Sequence, residues 1–135
     1  MIGDVYFPLW VNLLMPTNLL LMFAVNLGFN TLVVLAAWRF FRLPFSWPAP
    51  LRYVLFATLL GLVADFTALL GYEALRGPVA GADVVFAPAI ILAAGILIFC
   101  FNYVLARAFS LRRREALILA VTLGIVTAPW TVLLL

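Results

Sequence analysis

Apolar residues run along this chain in four long blocks, and the turn-forming and charged residues collect between them. A helix needs about 20 apolar residues to cross a hydrocarbon core of about 30 Å. Pro16 to Trp38, Tyr53 to Tyr72, Val84 to Ala106 and Ala116 to Leu135 each meet that length. Pro16 suits the first turn of a helix, where its missing N–H removes no hydrogen bond. The apolar stretch from Val5 to Met15, with Pro8 and Trp10, reads as an interfacial lead-in rather than a proline-kinked extension of the first span.

The connectors are short. Arg39 to Arg52 holds Pro44, Pro48 and Pro50 among Phe40, Phe41, Phe45 and Trp47. Glu73 to Asp83 holds the turn-like Gly77-Pro78 and Gly81, and Arg107 to Glu115 holds the run Arg112-Arg113-Arg114. None can fold as a soluble domain. The expected fold is one all-α integral membrane domain over residues 1–135, with four transmembrane helices in a compact bundle.

Composition agrees with this fold. The chain has 135 residues, 68% of them hydrophobic and 10% charged, where an ordinary soluble protein carries about 25% charged residues. It has no His and one Cys, Cys100. Bis-imidazole haem, a histidine zinc site, a histidine general base and an intrachain disulfide are therefore excluded. No cofactor or metal centre is expected, and Cys100 reads as a small buried hydrophobe. The opening Met1-Ile2-Gly3-Asp4 lacks the positive region of a secretory signal, so the first apolar block is expected to remain as a span.

Charge orients the spans. Arg39, Arg42 and Arg52 flank the first connector, and Arg107, Arg112, Arg113 and Arg114 the third; the second holds only Arg76. The positive-inside rule then puts both termini outside and the Arg-rich connectors in the cytoplasm, in a plasma or inner membrane. These arginines read as topology anchors in contact with lipid headgroups, with aromatics forming an interfacial belt. A nucleic-acid partner is not expected, because connectors this short offer no extended basic surface. Asp4, Glu73, Asp83 and Glu115 read as interfacial charges.

The two halves of the chain resemble each other. Phe29-Asn30 is echoed by Phe101-Asn102, and Leu60-Gly61-Leu62-Val63 by Leu123-Gly124-Ile125-Val126, which suggests two parallel-repeat helical hairpins. Small residues mark expected helix contacts: Ala57, Gly61, Ala64 and Ala68 in the second span, and Ala120, Gly124 and Ala128 in the fourth. Such spacing lets backbones approach closely in lipid, so spans two and four are expected at the tight contacts, within the chain or against another.

One ionisable residue lies deep in an apolar block. Asp65 is thirteen positions from Arg52, Asn26 thirteen from Arg39, and Thr127 thirteen from Arg114. At 1.5 Å per residue all three fall at one level, about 20 Å from the arginine end. Thr58, Gly61, Asp65 and Tyr72 share a stripe of the second span, Asn26 and Asn30 share a face of the first, and Thr127 and Thr131 could offer hydroxyls. An intramembrane carboxylate costs roughly 2.5 to 3.5 kcal/mol by insertion scales and is a functional candidate by default. The layer Asp65, Asn26, Thr127 and Asn30 could bind an ion or proton, or could hold helices in register.

In size and in its four spans the chain resembles small multidrug transporters, but its first span carries no Glu. In length and in having polar residues within apolar helices it resembles fluoride channels, without their Gly-rich and Thr/Ser/Phe signatures. Neither resemblance transfers site residues. Scattered carboxylates with no nucleophile–base pair argue against an enzyme. The expected function is a non-catalytic subunit, scaffold or assembly factor of a homo- or hetero-oligomeric membrane complex. The alternative is a small ion- or proton-coupled transporter or channel using Asp65 with Asn26 and Thr127.

Overall fold

The structure, a computed structural model, describes residues 16–75 and 82–127. The described residues form four α-helices: α1 (Pro16–Phe41), α2 (Ala49–Leu75), α3 (Ala82–Ala108) and α4 (Arg113–Val126). Pro16–Phe41, Ala49–Gly71 and Pro88–Ala108 are long and apolar enough to cross a membrane. The fourth helix is shorter and less apolar. Its 14 described residues end where Thr127 donates its N–H to the Leu123 carbonyl, so the expected span to Leu135 is only partly described. The lead-in from Val5 to Met15 and residues Asp4, Arg76, Gly77, Pro78, Gly81, Ala128 and Thr131 lie outside the described residues. The same holds for the side chains of Tyr72, Glu73 and Asp83.

The helices pack as a ring. α1 meets α2, α2 meets α3, α3 meets α4, and α4 returns to α1. α2 and α4 thus lie across a diagonal, and each makes most of its contact with α1 and α3 rather than with the other. Gly124 instead sits against α3, where an added Cβ would lie 3.1 Å from the Gly95 carbonyl oxygen and 3.2 Å from the Phe99 Cβ. At Gly61 that position meets no atom within 4 Å beyond its own stretch of helix. The other small residues, Ala57, Ala64, Ala68 and Ala120, are buried.

Burial is concentrated at the arginine-bearing end. Val34, Ala37, Tyr53, Val54, Ala57, Ala106, Leu119 and Leu123 interlock there with Leu43, Phe45 and Leu111 from the connectors. Phe45 and Phe109 both pack on Tyr53, at ring-centroid distances of 5.7 Å and 5.5 Å. Toward the other end a smaller cluster of Ala68, Ile90, Ile91 and Ala94 joins α2 to α3.

Helix ends in the third connector are set by backbone hydrogen bonds. Leu111 donates its N–H to the Ala106 carbonyl and Ser110 to that of Arg107, with Ser110 at φ 64°. This is a Schellman ending with serine where glycine is usual, and the buried Leu111 supplies its apolar contact. Immediately afterwards, the Glu115 carboxylate accepts the Arg112 N–H at 2.8 Å and so caps the start of α4. Glu115 is therefore a capping residue as well as an interfacial charge.

Candidate functional site

Asn26 and Asn30 sit one turn apart on α1, and both turn toward α2. The Asn26 amide donates to Asp65 Oδ2 at 3.4 Å, a long hydrogen bond. The Asn30 amide donates to Thr58 Oγ1 at 3.1 Å, and that hydroxyl donates in turn to the Val54 carbonyl at 2.8 Å. Residue numbers rise along α1 as they fall along α2, as an antiparallel pair requires. Thr58 and Asp65 are seven apart, two turns on one face of α2, so the two asparagines meet one stripe.

The two bonds differ in quality. Asn30 and Thr58 are 3% and 0% exposed and satisfy each other inside the bundle. Asp65 is half-buried, and its Oδ1 is shielded from solvent with no hydrogen-bond partner among the described residues. Buried polar atoms are normally paired, so an unpaired carboxyl oxygen marks a place of strain or of function.

Thr127 does not join this pair. It stands at the C-terminal end of α4, and its hydroxyl donates to the Leu123 carbonyl of its own helix at 2.7 Å. A shared depth placed it in the expected layer, but the ring puts α4 diagonally across from α2.

A third polar contact joins α2 to α3. The Tyr53 hydroxyl reaches both oxygens of Asn102, donating to Oδ1 at 3.1 Å or to the backbone carbonyl at 3.2 Å. The Asn102 amide donates to the Ile98 carbonyl at 2.9 Å, and both side chains are buried. In the sequence, Tyr53 reads as a span boundary and Asn102 as a repeat echo. An amide inside an apolar block was the available signal.

The seven described arginines Arg39, Arg42, Arg52, Arg107, Arg112, Arg113 and Arg114 are exposed at one end of the bundle. Cys100 is exposed on α3, contrary to the buried position expected for it. An apolar surface facing lipid accommodates a thiol as readily as a core does. Among the described residues, no group of three or more His, Cys, Asp or Glu side chains is placed to hold a metal ion. No protein-family model, curated protein or solved structure matches this chain.

Proposed function

We propose that the chain is a non-catalytic subunit or scaffold of a membrane complex. On this reading α4 and the residues after it make a fourth span, the two hairpins are parallel repeats, and the Arg-rich connectors are cytoplasmic. The observation that carries it is the closed inner half of the bundle. Between Asp65 and the arginine end the interior is filled by interlocked apolar side chains, and its polar groups, Asn30, Thr58, Tyr53 and Asn102, are bonded to one another or to backbone. A path for ions through the chain's own interior would have to break that core.

α1 supports the same reading. Only 11% of its most apolar window is buried, against 33% in α2 and in α3. Much of its length is therefore available to other subunits or to a second copy. Purification of the tagged chain from its own membrane in a mild detergent tests this. A complex of defined stoichiometry is the expected result, and a stable lone monomer would overturn it.

One observation favours a second reading, an ion- or proton-coupled transporter centred on Asp65: the buried, unpartnered Oδ1 beside Asn26. Asp65→Asn in proteoliposomes separates the two. A flux present in the unaltered chain and lost in the folded variant would establish the transporter. A chain that drives no flux, or whose flux survives the substitution, removes Asp65 from any transport mechanism.

A further inference from the structure

The two Arg-bearing connectors form one rigid basic surface. Leu43 and Phe45 from the first connector and Leu111 from the third are 3%, 8% and 1% exposed, all within one core cluster. Phe45 and Phe109 clamp Tyr53 between them, which ties the connectors to each other through α2. Arg107 is further fixed by an Nη1–H donated to the Leu111 carbonyl at 2.7 Å. The arginines are thus carried on backbone anchored in the core.

Most of their charge is uncompensated. No guanidinium forms an ion pair among the described residues, and the one acid at this end, Glu115, is engaged with the Arg112 N–H. Several sit where a helix disfavours them: Arg52 lies in the first turn of α2, and Arg113 and Arg114 open α4, against the positive end of each helix dipole. Arg39 and Arg107, in the last turns of α1 and α3, suit the dipole, but helix stability does not account for the placement of Arg52, Arg113 and Arg114. Exposed aromatics lie at the same end, Phe40 at 81% and Trp47 at 69%, as suits residues at headgroup level.

We infer that this surface is a binding site for an anionic phospholipid whose headgroup bridges the first and third connectors and so fastens the two helical hairpins together. Charge complementarity selects the occupant. Guanidinium groups bind phosphodiesters through paired N–H donors, and the aromatic collar holds those donors at the depth where such groups lie. Bridging distinguishes this site from arginines that act separately as topology anchors. Neutralising either connector alone should then remove most of the effect.

The test is thermal unfolding of the full chain in zwitterionic detergent, titrated with phosphatidylglycerol, phosphatidylcholine or inorganic phosphate. Phosphatidylglycerol should raise the midpoint by at least about 5 °C. The other two should leave it in place, and the rise should fade as salt screens the charges. Arg42→Gln, or Arg112→Gln with Arg113→Gln and Arg114→Gln, should each cut the rise by more than half; the lipid-free midpoint should hold for Arg42→Gln and rise slightly for the triple variant, whose arginines oppose the α4 dipole. An equal rise with phosphatidylcholine or free phosphate would overturn the site. Losses that simply add between the two connectors would overturn the bridging. Should a variant not fold, native mass spectrometry of the unaltered chain in mixed lipid decides. Retained phosphatidylglycerol above its share supports the site, and retention in proportion refutes it.

Discussion

Gly61 and Gly124 invite the same perturbation in two surroundings. Each lies inside a helix, so Gly→Ala at either one gains the same intrinsic helix propensity, at most about 1 kcal/mol. At Gly61 the new methyl meets nothing within 4 Å, and propensity is the whole expected effect. At Gly124 it would lie 3.1 Å from the Gly95 carbonyl oxygen, 3.2 Å from the Phe99 Cβ and 3.5 Å from the Phe99 Cα. Two of these three contacts are to backbone atoms, which no rotamer change can move. α4 must then back away from α3, at an overpacking cost of about 1–3 kcal/mol. Because the propensity terms cancel, the difference between the variants isolates the contact. Gly124→Ala should be the less stable of the two by about 1–3 kcal/mol. Reversible unfolding in mixed micelles, with both variants measured against the parent, provides the number. Equal stabilities would show that α4 does not seat on α3 through this glycine, and the ring of contacts would need redrawing.

Two other substitutions probe separate features. Ser110→Gly relieves the positive φ at the end of α3 and should stabilise the chain by about 1 kcal/mol, read in the same unfolding assay; a loss of stability would contradict the Schellman geometry. Tyr53→Phe keeps the ring packing on Phe45 and Phe109 and removes only the hydroxyl. A double-mutant cycle with Asn102→Val should give a coupling of about 0.6 kcal/mol and no more than about 1.7. Zero coupling would mean that the tyrosine contributes shape alone.

The local period and the shared level of Asn26 and Asp65 were legible in the sequence, and the neighbour relations between helices were not. Counting from Arg39 and Arg52 placed Asn26 level with Asp65, and helical spacing put Thr58 and Asp65 on one stripe; the hydrogen bonds of Asn26 and Asn30 follow that arrangement. The same count placed Thr127 at that level, but depth is a single coordinate. Which helices touch depends on how the ring closes, and no local spacing encodes that. Gly124 was recognised as a contact residue for the same local reason, while its partner, the Gly95 backbone, lies on a helix that carried no matching signal. Tyr53 was missed because an aromatic at a span end normally belongs to the interfacial belt; here its hydroxyl turns inward to Asn102.

The named bonds between helices share one member, since Asp65, Thr58 and Tyr53 all belong to α2. At 100° per residue, Thr58 and Asp65 differ in azimuth by only about 20°, while Tyr53 lies about 120–140° around the axis. Along the axis the three span about 18 Å. A helix in a bilayer can spin, slide and tilt. Contacts at two azimuths stop the spin, and contacts spread over that length resist both sliding and tilting. α2 is therefore constrained in every rigid-body degree of freedom that lipid leaves open, and it serves as the reference post against which its neighbours α1 and α3 take their positions.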